Sequence, residues 1–273
     1  MYYVIEGTEQ KVVIKNNKFT MPPDNIAIFI NLKEIQYTIK YSLEGGEFAN
    51  TPASSYTINT PTFNLPQPSR EGYNFIGWTD KTTPAPILNY TVVQGSAKNI
   101  NVTANWEIRE YNVTVDTTGQ GSFDGSSVAE YKSTQNYTIS MSEGWHLAEI
   151  YYIKAGDTER VEMGADSYVM PASDITIYVV FEKTPYDITI SQEGSYGWIE
   201  TTQTQSYVGD TVTIIAHPEN GCEVVGYKYS FDGGDSWIYT EYNTFVMQPT
   251  NVIVCGIFET IEYKINYVLN GGF

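Results

Sequence analysis

Ser230 to Trp237 reads SFDGGDSW, a stretch that sets two carboxylates and a double glycine ahead of a tryptophan. Asp232 and Asp235 offer the oxygen ligands that a calcium ion takes, but the spacing lacks the dense acids of a calcium loop. A hairpin turn explains the same residues: Asp232 bonds the turn backbone, Gly233 and Gly234 permit positive φ, and Trp237 packs beneath. The only histidines, His146 and His217, have no companion at metal-ligand spacing and no recurring acid or nucleophile beside them. Neither a nucleophile elbow nor a phosphate-binding or dinucleotide-binding glycine loop is present. The reading is a chain with no catalytic, cofactor-binding or metal residues and no cofactor.

Aromatic rings are the remaining candidates for recognition, since 23 Tyr and 5 Trp offer faces on which a sugar could stack. The densest group is REGYNFIGW, Arg70 to Trp78. Most such rings sit at strand positions, where core packing is the expected role. Trp198, Tyr196 and Tyr151 are the candidates for exposed, ligand-contacting rings.

These residues need a scaffold, and composition points to strands. Only 17% of the 273 residues are charged, and the abundance of Tyr, Thr, Val and Ile suits half-buried strands better than solvated helices. The formal net charge of −17 repels phosphate backbones and anionic headgroups, which argues against nucleic acid as a partner. No apolar run is long enough for membrane insertion as a helix, and the opening MYYVIEGTEQKVV lacks the charged and apolar regions of a secretory leader. Cys222 and Cys255 are too few for a disulfide scaffold, and whether they pair is left open.

The scaffold repeats. Strand-like starts at Tyr37, Tyr111, Tyr186 and Tyr263 stand 74, 75 and 77 residues apart. Each unit closes on a strand ending in an aromatic and an acid, at Trp106–Glu107, Phe181–Glu182 and Phe258–Glu259. A shared lead-in aligns Met21, Met170 and Met247. The spacing divides the chain into the C-terminal part of a divergent repeat (1–34), complete units at 37–107, 111–182 and 186–259, and the start of a further one (263–273), as in an excerpt from a longer array.

EGYNFIGW, from Glu71, aligns without gaps on EGWHLAEI and NGCEVVGY, which places Tyr73, Trp145 and Cys222 in one column and Phe75, Leu147 and Val224 in another. A stacking platform would not accept cysteine there, whereas a core tolerates any apolar side chain of suitable volume. Strand parity puts Ile175, Ile177, Val179 and Phe181 on one face, matched by Val252, Val254, Gly256 and Phe258. Cys255 falls on the other face, level with Tyr178, while Cys222 takes the core column.

Residues 37–107 resemble the internalin-type B repeat, also called the Listeria-Bacteroides repeat. The resemblance rests on Gly45–Gly46 after the first strand, the Arg-x-Gly-Tyr-x-Phe-x-Gly-Trp run of residues 70–78, and Ala104-x-Trp106 at the close. Residues 111–182 and 186–259 look like its divergent relatives; they carry Glu149–Ile150 and Gly226–Tyr227 in place of Gly77–Trp78. SFDGGDSW also fits the Asp-box of sialidase-like propellers, but a single box is a turn motif.

The resemblance implies a mainly β fold of tandem small β-rich, β-grasp-like repeats in an elongated array on a secreted or wall-anchored bacterial protein, without enzymatic activity. Localisation at the cell surface or outside the cell is inherited from it. The expected role is a stalk or spacer, with an adhesin whose repeats bind host glycans or proteins as the alternative. Expected partners are therefore neighbouring repeats of the same chain and a host glycan or protein. Short joints, Ile108–Glu110 and Lys183–Pro185, predict stiffness, with units roughly 30 Å across.

Overall fold

The computed structural model describes residues 1–268, 270 and 271, and every element among them is a β-strand. The chain falls into two compact units, Met1–Arg109 and Glu110–Phe273. The first holds one complete repeat behind the N-terminal segment, and the second holds two.

Each complete repeat follows one plan. Its closing strand, Ile100–Ile108, Ile175–Lys183 or Val252–Thr260, is flanked on one side by the opening strand and on the other by the strand of the aromatic column. The opening strand runs parallel to it, with Ile39 opposite Ile100, Val113 opposite Ile175 and Ile188 opposite Val252. The column strand runs antiparallel. A central strand loses most of its surface to its neighbours, so it carries the most apolar sequence: Ile175, Ile177, Val179 and Phe181 are 2%, 0%, 0% and 3% exposed. A second, smaller layer covers that face. In the third repeat it brings Ile199, Val212, Ile214, Phe245 and Met247 onto Ile188, Val252 and Val254.

Two devices recur with the period. The column strand carries a β-bulge at the same place in all three repeats, between Phe75 and Gly77, Leu147 and Glu149, and Val224 and Gly226. The extra residue turns outward, leaving Ile76 and Val225 40% and 41% exposed, and it resets the parity beyond it. Phe75 and Trp78, three apart, therefore pack edge to face at 5.2 Å, and Trp78 is fully buried with its Nε1 donating to the Pro66 carbonyl at 3.3 Å. The second device sets the closing aromatic against a glycine. A Cβ on Gly46 would lie 2.3 Å from the Trp106 ring, one on Gly121 2.4 Å from Phe181, and one on Gly197 2.6 Å from Phe258.

Several expectations shift. The Tyr73, Trp145 and Cys222 column is half-buried rather than core, because these residues pair with Ile108, Lys183 and Thr260 at the far end of the closing strand, beyond the packed centre. Cys255 does lie on the face opposite the core, yet it is fully buried, because Lys228, itself 8% exposed, sits directly across from it. Both thiols are free. The joints are largely strand: Ile108, Glu110 and Lys183 are all paired or strand residues. The carbonyl of the turn glycine accepts from the residue leaving each repeat, Gly72 from Arg109 at 3.0 Å, Gly144 from Thr184 at 2.8 Å and Gly221 from Ile261 at 2.8 Å.

The flanking segments differ from the complete units. Residues 1–34 form a three-stranded sheet in which Tyr2–Ile5 pairs with both Lys11–Val13 and Ile26–Phe29. Its Met21 is 60% exposed, whereas Met170 and Met247 are buried. Residues 261–268 form no strand, and Leu269, Gly272 and Phe273, which belong to the expected further repeat, lie outside the described residues.

Candidate functional site

The exposed aromatic group lies on the third repeat. Gly197–Thr201 pairs antiparallel with Thr211–Pro218, which places Trp198 directly across from His217. The indole and imidazole stack with centroids 3.9 Å apart and planes 15° from parallel. His217 Nε2 lies 3.2 Å from Glu200 Oε1, so an aromatic face and a carboxylate share one surface. Trp198 is 45% exposed and Tyr196, two residues earlier, 49% exposed. Tyr196 is held by its carbonyl, which accepts from the Glu219 amide at 2.8 Å.

Tyr151 does not join them. It lies in the second repeat and is 7% exposed, stacked on Tyr178 at 5.3 Å and capped by the Arg160 guanidinium 4.2 Å from its ring. Arg160 also reaches Glu149 at 3.1 Å. The expectation of an exposed ring fails because the neighbouring hairpin strand, Arg160–Glu162, brings a cation over it.

The same arrangement occupies the same place elsewhere. In the N-terminal segment Tyr2 stacks on Phe29 at 5.1 Å with Lys11 5.3 Å from its ring. In the third repeat the partners trade places, and Lys228 lies 4.5 Å from the Trp237 ring while its Nζ donates to Glu193 at 2.6 Å. That hydrogen bond raises the Lys228 pKa. Burial pushes the Cys255 thiol up as well, which keeps it protonated and unreactive. Nothing in a one-dimensional reading joins Lys11 to Tyr2 or Lys228 to Trp237; the signal is the hairpin register.

The DGGD turn is the predicted hairpin. Asp232 accepts from Ser230 Oγ at 2.7 Å and the Ser236 amide at 2.9 Å, and also from Ser236 Oγ. These bonds, the Ser236 hydroxyl first, hold its carboxyl well below the usual carboxylate range. Its oxygens are thus engaged by the turn. No grouping of three or more His, Cys, Asp or Glu suited to a metal occurs among the described residues. His146 is exposed, with Nδ1 3.2 Å from Thr184 Oγ1.

A parallel first-to-last strand pairing, a repeated bulge and an aromatic set on a glycine thus recur from repeat to repeat, and family comparison agrees with that pattern. Residues 37–105 match the Listeria-Bacteroides repeat domain, and residues 186–262 match the divergent InlB B-repeat domain. Both stretches are B repeats of the internalin type. Among curated proteins, the chain is 26% identical to internalin H of Listeria monocytogenes over 147 residues, covering 54% of this chain and 25% of that protein. It is 24% identical to a putative membrane protein of Evansella cellulosilytica over 221 residues, 78% of this chain and 32% of the relative. A putative Gly-rich membrane protein of the same organism is 24% identical over 178 residues, 64% and 20% of the two chains. The chain therefore spans at most about a third of these relatives. Among the described residues no helix is long and apolar enough to cross a membrane.

Proposed function

We propose that the chain is a non-catalytic stalk or spacer in a bacterial surface protein, holding other parts of that protein away from the cell. One observation carries this reading: what recurs with the period is structural. The bulge, the glycine under the closing aromatic and the parallel strand pair return in every complete repeat, while the polar groups of the outer face do not. Thr79 and Thr103 stand where the second repeat has Tyr151 and Tyr178 and the third has Lys228 and Cys255. The names of the relatives, an internalin and two putative membrane proteins, support a surface location. To test the role, the repeat number in a surface-displayed protein is varied and antibody access to a distal tag is measured. Access that rises with repeat number and ignores outer-face substitutions supports the stalk; access indifferent to repeat number rejects it.

The Trp198, His217 and Glu200 group favours a second reading, an adhesin that takes sugar on the exposed indole. Clustering the chain on beads adds avidity to weak contacts, so binding to a glycan array and to epithelial cells tests this directly. Saturable binding abolished by Trp198→Ala in a chain that stays folded establishes the adhesin, and no binding at any density removes it.

A further inference from the structure

In each complete repeat the chain enters at the start of the opening strand and leaves at the end of the closing strand. Because those two strands are adjacent and parallel, entry and exit lie at opposite ends of a single hydrogen-bonded pair. Tension carried along the chain then draws the strands past one another and loads their evenly spaced bonds together. An antiparallel pair pulled from one end opens instead bond by bond.

We propose that the repeats are tension-bearing clamps, graded in strength, in which force along the chain is resisted in shear by the parallel strand pair. This rests on the stalk reading, since a connector between two parts of a surface protein is the segment that carries load between them.

The grading follows from the register. The second repeat aligns six residue pairs, Val113 with Ile175 through Thr118 with Val180. The first aligns four, Ile39 with Ile100 through Ser42 with Thr103. The third aligns three, Ile188 with Val252 through Ile190 with Val254, with one further bond from the Ser191 amide to the Val254 carbonyl at 2.8 Å. Side chains reinforce the second pair, where the hydroxyls of Thr114 and Thr176 lie 2.8 Å apart.

The glycine contact adds a latch. The segment just past the opening strand lies against the closing aromatic, with no room between Gly46 and Trp106, Gly121 and Phe181, or Gly197 and Phe258. In the first repeat Trp106 Nε1 also donates to the Leu43 carbonyl at 2.9 Å. Sliding the opening strand along its partner drags this segment across the ring, so slip needs the ring to move as well. Resistance of this kind is governed by the unfolding barrier rather than by equilibrium stability.

Single-molecule force spectroscopy on the full chain tests the proposal without a destabilising variant. Handles at residues 110 and 183, attached by chemistry that does not use cysteine, load the second repeat in shear. Handles at residues 143 and 183 sit at one end of the antiparallel pair in which Trp145 faces Lys183, so they peel that pair apart. The expected result is an unfolding force several-fold higher for 110/183 than for 143/183, and higher for 110/183 than for handles at 186 and 260. Equal forces in the shearing and peeling geometries overturn the clamp, and a third repeat as resistant as the second overturns the grading. The outcome is independent of distal-tag display: shear resistance without dependence of display on repeat number leaves the clamp standing and removes the stalk.

Discussion

The first and third repeats share one backbone plan and differ in what covers the sheet behind the core. In the first, the small pair Thr79 and Thr103 leaves an open groove of about 420 Å³ lined by Lys40, Tyr41, Asp80 and Asn101. In the third, the equivalent Lys228 and Cys255 are buried under Glu193 and Trp237. Burying an ammonium demands a partner and a face for the charge, and Glu193 and Trp237 supply them; a pair of threonines demands neither. The core side is confined by volume and by the bulge, whereas the outer side diverges as long as each buried polar group is satisfied.

The sharpest way to break this comparison is the core. Trp78→Ala removes a fully buried ring and is expected to cost about 3–5 kcal/mol, lowering the first repeat's unfolding midpoint and sparing the third. An unchanged midpoint by calorimetry would place Trp78 outside the core.

The bulge gives the next contrast. Gly77 has φ +135° and a Cβ there would lie 2.5 Å from the Ile87 backbone, whereas a Cβ on Gly226 meets nothing closer than the Thr240 carbonyl at 3.1 Å. Gly77→Ala is expected to cost about 2–3 kcal/mol and Gly226→Ala clearly less, read by denaturant unfolding. Equal costs would mean that the bulge confines both sites alike.

Tyr90 distinguishes the first repeat by pH. Its hydroxyl donates to Asp80 Oδ2 at 2.5 Å, and burial followed by that bond pushes its pKa from 10.0 to about 12. The folded state thus favours the protonated phenol. That stability is fully present below pH 10 and is lost as pH rises toward about 12. Asp80 works in the opposite sense: the Tyr90 bond holds its carboxyl well below the usual carboxylate range, so its contribution is present above the ordinary aspartate pKa and is lost on acidification. Tyr90→Phe is expected to cost about 1–2 kcal/mol at neutral pH and to flatten the first repeat's alkaline loss. An alkaline profile identical to that of the unsubstituted chain would show that Tyr90 does not set it.

The smallest effect lies on the outer face of the third repeat. Glu193→Gln keeps a hydrogen-bond acceptor but removes the charge that faces Lys228, and because Glu193 is largely exposed the cost is expected near 1 kcal/mol or less. A larger loss in thermal unfolding would mean that the pair carries more of this repeat than its exposure suggests.

Sequence spacing exposed the period, the strand content and the core face of each closing strand, because the period of two places Ile175, Ile177, Val179 and Phe181 together whatever lies around them. It also read the DGGD hairpin correctly, since the turn chemistry is local. The bulge was hidden, although Gly77 and Gly226 hinted at it. Cys222 was read as core because parity gives the face a residue lies on but not where the packed centre ends, and Cys222 pairs with Thr260 beyond that centre. Tyr151 was misplaced for a different reason: its cover, Arg160, arrives from a hairpin partner nine residues on. The stack of Trp198 on His217 likewise depends on cross-strand register, which composition does not encode.

The contact between Gly46 and Trp106, repeated at Gly121 with Phe181 and Gly197 with Phe258, has a genetic consequence. The two halves of each contact come from opposite ends of a repeat, so a crossover between neighbouring copies joins the front of one to the back of another. Every such hybrid still sets an aromatic ring against a glycine. Unequal recombination can thus lengthen or shorten the array without creating a steric clash at that point, and copy number becomes a trait that selection adjusts separately from the fold.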